Sequence, residues 1–214
     1  MEDVLRVYER PRDPARPLVC LDESSRQLVG HSRDPLPARP GDPERWDYEY
    51  VRNGVADVFM AFAPLECERH VRVTRTRGRL DLAETLRWVS DELYPGAELI
   101  VLVWDNLNTH SMGSLYEAFP PEEAERLAGR FEVHYTPRHG SWLDMAEVEI
   151  GVLMRHGLPA RVATFGEMEA LCAAWERDRN ARARTAEWRF TVGDAREKLS
   201  RLYPRIELNR KDSA

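Results

Sequence analysis

The run Ile100-Val101-Leu102-Val103-Trp104-Asp105 constrains the fold more than any other stretch of this chain. Its apolar, β-prone residues stop abruptly on a carboxylate, and polar residues follow. A continuous apolar run this short reads as a strand covered on both faces, which implies a parallel or mixed sheet. The Asp then stands at the open end of that sheet. A second run of the same shape, Leu18-Val19-Cys20-Leu21-Asp22, also stops on Asp. Side by side, two such strands bring like charges together, which costs stability unless a cation lies between them. A metal site at the strand ends is the simplest expectation.

With 214 residues and 43% apolar content, the chain can bury the core of one α/β domain. No apolar stretch approaches the ~18 residues of a membrane span. The N-terminus has early acids and no apolar signal region, so a cytoplasmic protein is expected. Cys20, Cys67 and Cys172 form no paired motif and read as buried free thiols. A net charge of −6 argues against bulk attraction to nucleic acid. Local patches can still neutralise phosphates. Arg69, His70, Arg72, Arg75, Arg77 and Arg79 fall in one segment, and Arg177, Arg179, Arg182, Arg184 and Arg189 in another. Each is either a DNA contact or a solvated face.

Residues 1–16 carry Pro11 and Pro14 among charges and read as a linker or remnant. A first strand over 18–22 and a Pro-rich extended loop over 31–43 follow. A short strand over 48–52 is expected to turn at Asn53-Gly54. Strands over 57–65 and 68–74 come next, and the alternation in 68–74 predicts one buried face and one wet, positive face. A helix begins near Asp81. The strand at 100–105 precedes short helices over 112–118 and 121–128 and a last strand over 131–136. Ser141 is expected to cap a helix reaching Met154, Thr164 one running to about Asn180, and a basic, aromatic appendix closes the chain, with a helix over 192–199 and a tail at 205–214. Helices on both faces of a mixed sheet follow from this order.

Glu147 is the acid on the helix after the last strand best placed to join Asp22 and Asp105, since Glu149 points to another side. Three hard oxygen ligands suit Mg²⁺, for which Mn²⁺ can substitute. Taken singly, each acid reads as a turn former, cap or surface residue. Together the blocks Leu21-Asp22-Glu23, Trp104-Asp105-Asn106-Leu107-Asn108-Thr109-His110 and His139-Gly140-Ser141-Trp142-Leu143-Asp144-Met145-Ala146-Glu147 resemble the catalytic domain of DDE transposases of the IS630/Tc1/mariner superfamily. The stretches Asp47-Tyr48-Glu49-Tyr50-Val51-Arg52-Asn53-Gly54 and Phe59-Met60-Ala61-Phe62 look like the IS630 branch.

The resemblance covers about residues 18–204, within an assigned catalytic region of 17–204, and implies a ribonuclease H-like mixed five-stranded sheet with helices on both faces. It implies that Asp22, Asp105 and Glu147 hold the metal and catalyse cleavage and strand transfer on double-stranded DNA, in a synaptic homodimer. Members carry a helix-turn-helix region before the first strand, so end recognition is expected to be lost here or supplied by another chain. Where the family has Asn, this chain has Asp144, which either perturbs the metal site or caps the helix.

Arg72, Arg75, Arg77, Arg138, His139 and Trp142 are the candidate DNA contacts, and Asn106 and Asn108 either orient Asp105 and the metal waters or simply form the turn. Trp142 either stacks on a frayed base or anchors its helix in the core. His110 and His134 also flank the presumed site, without zinc-like spacing. The alternatives to a transposase are an inactive DNA-binding or dimerisation module and, more weakly, a small-molecule phosphohydrolase.

Overall fold

The computed structural model describes residues 1–105, 111–137, 140–182 and 188–203. Its sheet has five strands in the order β3-β2-β1-β4-β5, formed by β1 (Leu18–His31), β2 (Tyr50–Ala63), β3 (Glu68–Thr74), β4 (Ile100–Trp104) and β5 (Phe131–Tyr135). The β1/β2 and β2/β3 pairs are antiparallel, while β1/β4 and β4/β5 are parallel. This is the mixed sheet expected from the sequence. Strand β4 is buried at every position, which its unbroken apolar run requires.

Side-chain alternation divides the core in two. Val19, Leu21, Phe59, Leu102 and Trp104 pack with α2 (Arg79–Trp88), α3 (Gly113–Ala118) and α4 (Pro121–Ala128). Cys20, Met60, Phe62, Val101 and Val103 face the other way, toward α1 (Glu2–Tyr8), α5 (Met145–Val152), α6 (Phe165–Ala181) and α7 (Val192–Lys198). Among the described residues no helix is long and apolar enough to cross a membrane.

Several local expectations change. Strand β1 runs on to His31 instead of ending at Asp22, because β2 pairs with it through the polar stretch, with Ser25 opposite Asp57 and His31 opposite Tyr50. Asn53-Gly54 is no hairpin turn. The register slips between Gln27 and Val29, so Asn53 and Gly54 together face Leu28, and Gly54 takes φ +96°. That is a β-bulge, where glycine relieves the left-handed backbone. Asp81 is the third residue of α2, not its start, and its carboxylate accepts the N–H of the Gly78 cap at 3.0 Å. The cap of α5 is Asp144 in place of Ser141. Thr164 does cap α6, accepting the Glu167 N–H at 3.1 Å.

The first sixteen residues have structure of their own. Helix α1 buries Val4, Leu5, Val7 and Tyr8. His134 lies between Asp3 at 2.7 Å and Glu132 at 2.9 Å, and Arg10 and Arg16 also reach Glu132. Cys20 and Cys172 are buried, but Cys67 is only half-buried, in the turn between β2 and β3.

Candidate active site

Leu21 pairs with Trp104 across the parallel β1/β4 ladder, so the next residues, Asp22 and Asp105, are neighbours in register. Leu21 and Trp104 face the α2–α4 side. Alternation therefore turns both carboxylates to the other side, which α5 covers. Strand β4 ends at Trp104 while β1 continues, and the resulting notch in the sheet leaves both Asp residues half-buried.

The turn Ser141–Leu143 and the Asp144 cap deliver α5 to this notch. Asp144 is 1% exposed; its Oδ1 accepts the Ala146 N–H at 2.8 Å, and its Oδ2 is buried without a hydrogen-bond partner among the described residues. Burial pushes the Asp144 carboxyl well above the usual range, and the charges of Asp22, Asp105 and Glu147 push the same way against the Ala146 N–H. Four carboxyls thus share one field. Glu147, in the first turn of α5, is exposed, so its charge is solvated.

Tyr8 closes the rear of the site. Its hydroxyl donates to the Leu143 carbonyl, just before Asp144, and lies 3.5 Å from the Cys20 thiol, two residues before Asp22. Burial, with the Asp144 charge adding to it, raises the pKa of both Tyr8 and Cys20, so both stay neutral. Nothing in the sequence pointed to Tyr8, because residues 1–16 lack a long periodic pattern.

The basic candidates are dispersed. The expected wet face of β3 does not form: Arg69 shares the Val71–Val73 face and is fully buried, and Arg72 on the opposite face donates to the Glu84 carbonyl of α2 at 2.8 Å. The Arg75 guanidinium lies 4.5 Å from the Phe165 ring centre. Arg77 reaches toward Glu23 at 3.8 Å and Asp57 at 3.9 Å, on the face away from Asp22. Trp142 is 43% exposed beside the cap. His134 is held by Asp3 and Glu132. Asn106, Asn108, His110, Arg138 and His139 lie outside the described residues.

The donor set of Asp22, Asp105 and Glu147 is all hard oxygen, and beside it the buried Oδ2 of Asp144 has no hydrogen-bond partner among the described residues, so the residues fit a divalent ion. As they stand, no three His, Cys, Asp or Glu side chains among the described residues close around one point.

Residues 17–169 match a family model described as DDE superfamily endonuclease. No curated protein matches the sequence. Of solved structures, the Mos1 strand transfer complex is similar at 17% identity and a TM-score of 0.52, over 82% of this chain and 51% of that one. The Mos1 mariner paired end complex with Mn is similar at 17% identity and a TM-score of 0.51, over 83% and 52%. The chain thus spans about half the length of these solved chains. At this identity the likeness is one of fold.

Proposed function

We propose, proceeding from the fact that this chain belongs to the DDE superfamily of endonucleases, that it is a transposase catalytic domain of the IS630 type. It would cut double-stranded DNA at element ends and join the freed 3′-hydroxyl to target DNA, working as a synaptic homodimer. The observation that supports this reading is that Asp22 and Asp105 follow a register pair on two neighbouring parallel strands, with Glu147 in the first turn of the helix that covers them.

Asp22, Asp105 and Glu147 would hold Mg²⁺, or Mn²⁺ in its place. When bound, such an ion lowers the pKa of an attacking water or hydroxyl and stabilises the leaving oxygen. The chain's own residues do the positioning. The β1/β4 ladder fixes the two Asp residues in register. The Asp144 cap and the Tyr8 hydroxyl on Leu143 fix the first turn of α5, and with it the approach of Glu147. The similar Mos1 structures, a paired end complex with Mn and a strand transfer complex, support both the metal and the chemistry.

The deciding experiment incubates the purified chain with plasmid DNA and Mn²⁺ or Mg²⁺, beside Asp105→Asn. Nicking that needs the metal and disappears in the variant, with an unchanged thermal transition, is the expected result. Cleavage that persists in Asp105→Asn overturns the reading. A folded chain that binds DNA but never cuts it leaves the inactive DNA-binding module.

A further inference from the structure

We infer that Trp142 is a stacking platform for an unpaired nucleobase beside the carboxylate cluster, an inference that rests on the nuclease reading above. Trp142 belongs to the turn that leads directly into the Asp144 cap, so the element that presents Glu147 also presents this ring. At 43% exposed it is no core anchor; Trp104 shows what burial looks like in this protein, at 0%.

The ring is nonetheless held in place. Trp188 stacks on it, with centroids 6.2 Å apart and planes 18° from parallel, and Phe190 meets it edge-on at 5.6 Å. Trp188 leans in turn on Tyr8 at 5.0 Å and donates its indole N–H to the Phe190 carbonyl at 2.8 Å. The Lys198 ammonium lies 5.7 Å from the Phe190 ring centre. A flexible surface indole loses rotamer freedom when something stacks on it. One already braced by two aromatic rings loses little, so more of the stacking energy reaches the ligand.

The chemistry of the ring selects the occupant. A partly exposed indole can stack on any base without reading its edge, which suits an enzyme whose cleaved strand must leave the duplex next to the cut. An unpaired base also brings a phosphate to the same turn of chain, where a cation among the carboxyls can meet it.

The test measures binding of the whole chain, in Mg²⁺ buffer, to an end-labelled oligothymidylate and to an abasic strand of equal length. Wild type is expected to bind the base-bearing strand about tenfold more tightly, equivalent to about 1.4 kcal/mol. Trp142→Ala should bring that ratio close to one by weakening only the base-bearing strand, while Trp142→Phe keeps most of it. A wild-type ratio near one overturns the inference, and so does a Trp142→Phe or Trp142→Ala variant that weakens both strands equally. A preserved ratio in a chain that never cleaves DNA would sink the nuclease reading and leave the platform, whereas metal-dependent cleavage without any base preference would do the reverse.

Discussion

Glu149 and Asp144 lie five positions apart, and both are almost completely buried, at 4% and 1% exposure. Their surroundings are opposite. Glu149 receives Arg69 through Nε at 3.1 Å and Nη2 at 3.0 Å, and Arg179 through Nε at 3.2 Å and Nη2 at 3.1 Å. Burial alone would raise its carboxyl, but the two guanidiniums more than offset that and hold it below the usual range. Asp144 has one backbone N–H and, near it, three more acids. One end of this segment is electrostatically closed by two guanidiniums, whereas at the other the Asp144 Oδ2 has no hydrogen-bond partner among the described residues.

The same closed region also protects the sheet edge. Asn180 accepts the Arg69 N–H at 2.9 Å and donates to the Arg69 carbonyl at 2.8 Å, and Glu176 accepts the Val71 N–H at 2.8 Å. Side chains of α6 thus occupy the hydrogen-bonding groups that an edge strand would otherwise offer to another chain.

Opening the closed end should have the largest effect. Arg69→Ala should cost about 3–5 kcal/mol in chemical denaturation, since it leaves Glu149 buried with half its compensation. A loss below about 1 kcal/mol would mean that Arg179 alone suffices and that the network is not structural. At the open end the signature should invert. Glu147→Gln should stay within about 0.5 kcal/mol of wild-type stability, because Glu147 is exposed. Its metal-dependent cleavage should nevertheless fall by at least about 100-fold. Unaltered cleavage would remove Glu147 from the site.

The smallest effect belongs to Asp144→Asn. The native pKa of Asp144 is raised, so the folded chain keeps a proton that the unfolded chain releases near pH 4. The stability tied to that proton is complete below the unfolded value and is lost as pH rises through the folded one. Asn still accepts from the Ala146 N–H and carries no charge. Without metal, the variant should therefore gain on the order of 1 kcal/mol at about pH 8 and nothing near pH 4, read from thermal melts across that range. A gain that does not change with pH would show that Asp144 is ionised throughout.

Much of this architecture is legible in the residues. Strand β4 is announced by an apolar run too short for a helix, α6 by the Thr164 and Glu167 capping pair, and β3 by its Glu68–Thr74 pattern. The misreadings share a cause. Asn53-Gly54 has the local chemistry of a turn and also that of a bulge, and only the partner strand, with Leu28 opposite, selects between them. The first strand reads as ending at Asp22 because polar Glu23 to Gln27 follow, yet it runs on to His31 because β2 supplies hydrogen bonds that periodicity cannot reveal.

That apolar runs end in Asp22 and Asp105, and that an acid follows on a helix, can be read from the residues because strand and helix periods are local properties of the chain. Which acids share a field is set by packing. Asp144 and Glu149 are near neighbours with similar burial, and neither one's identity says which will meet arginine. That follows from Arg69 arriving on β3 and Arg179 on α6, far away in sequence, while Asp22 and Asp105 arrive at the other end of α5. Charge interactions act through space at a distance set by packing, and no local pattern in the chain encodes that distance.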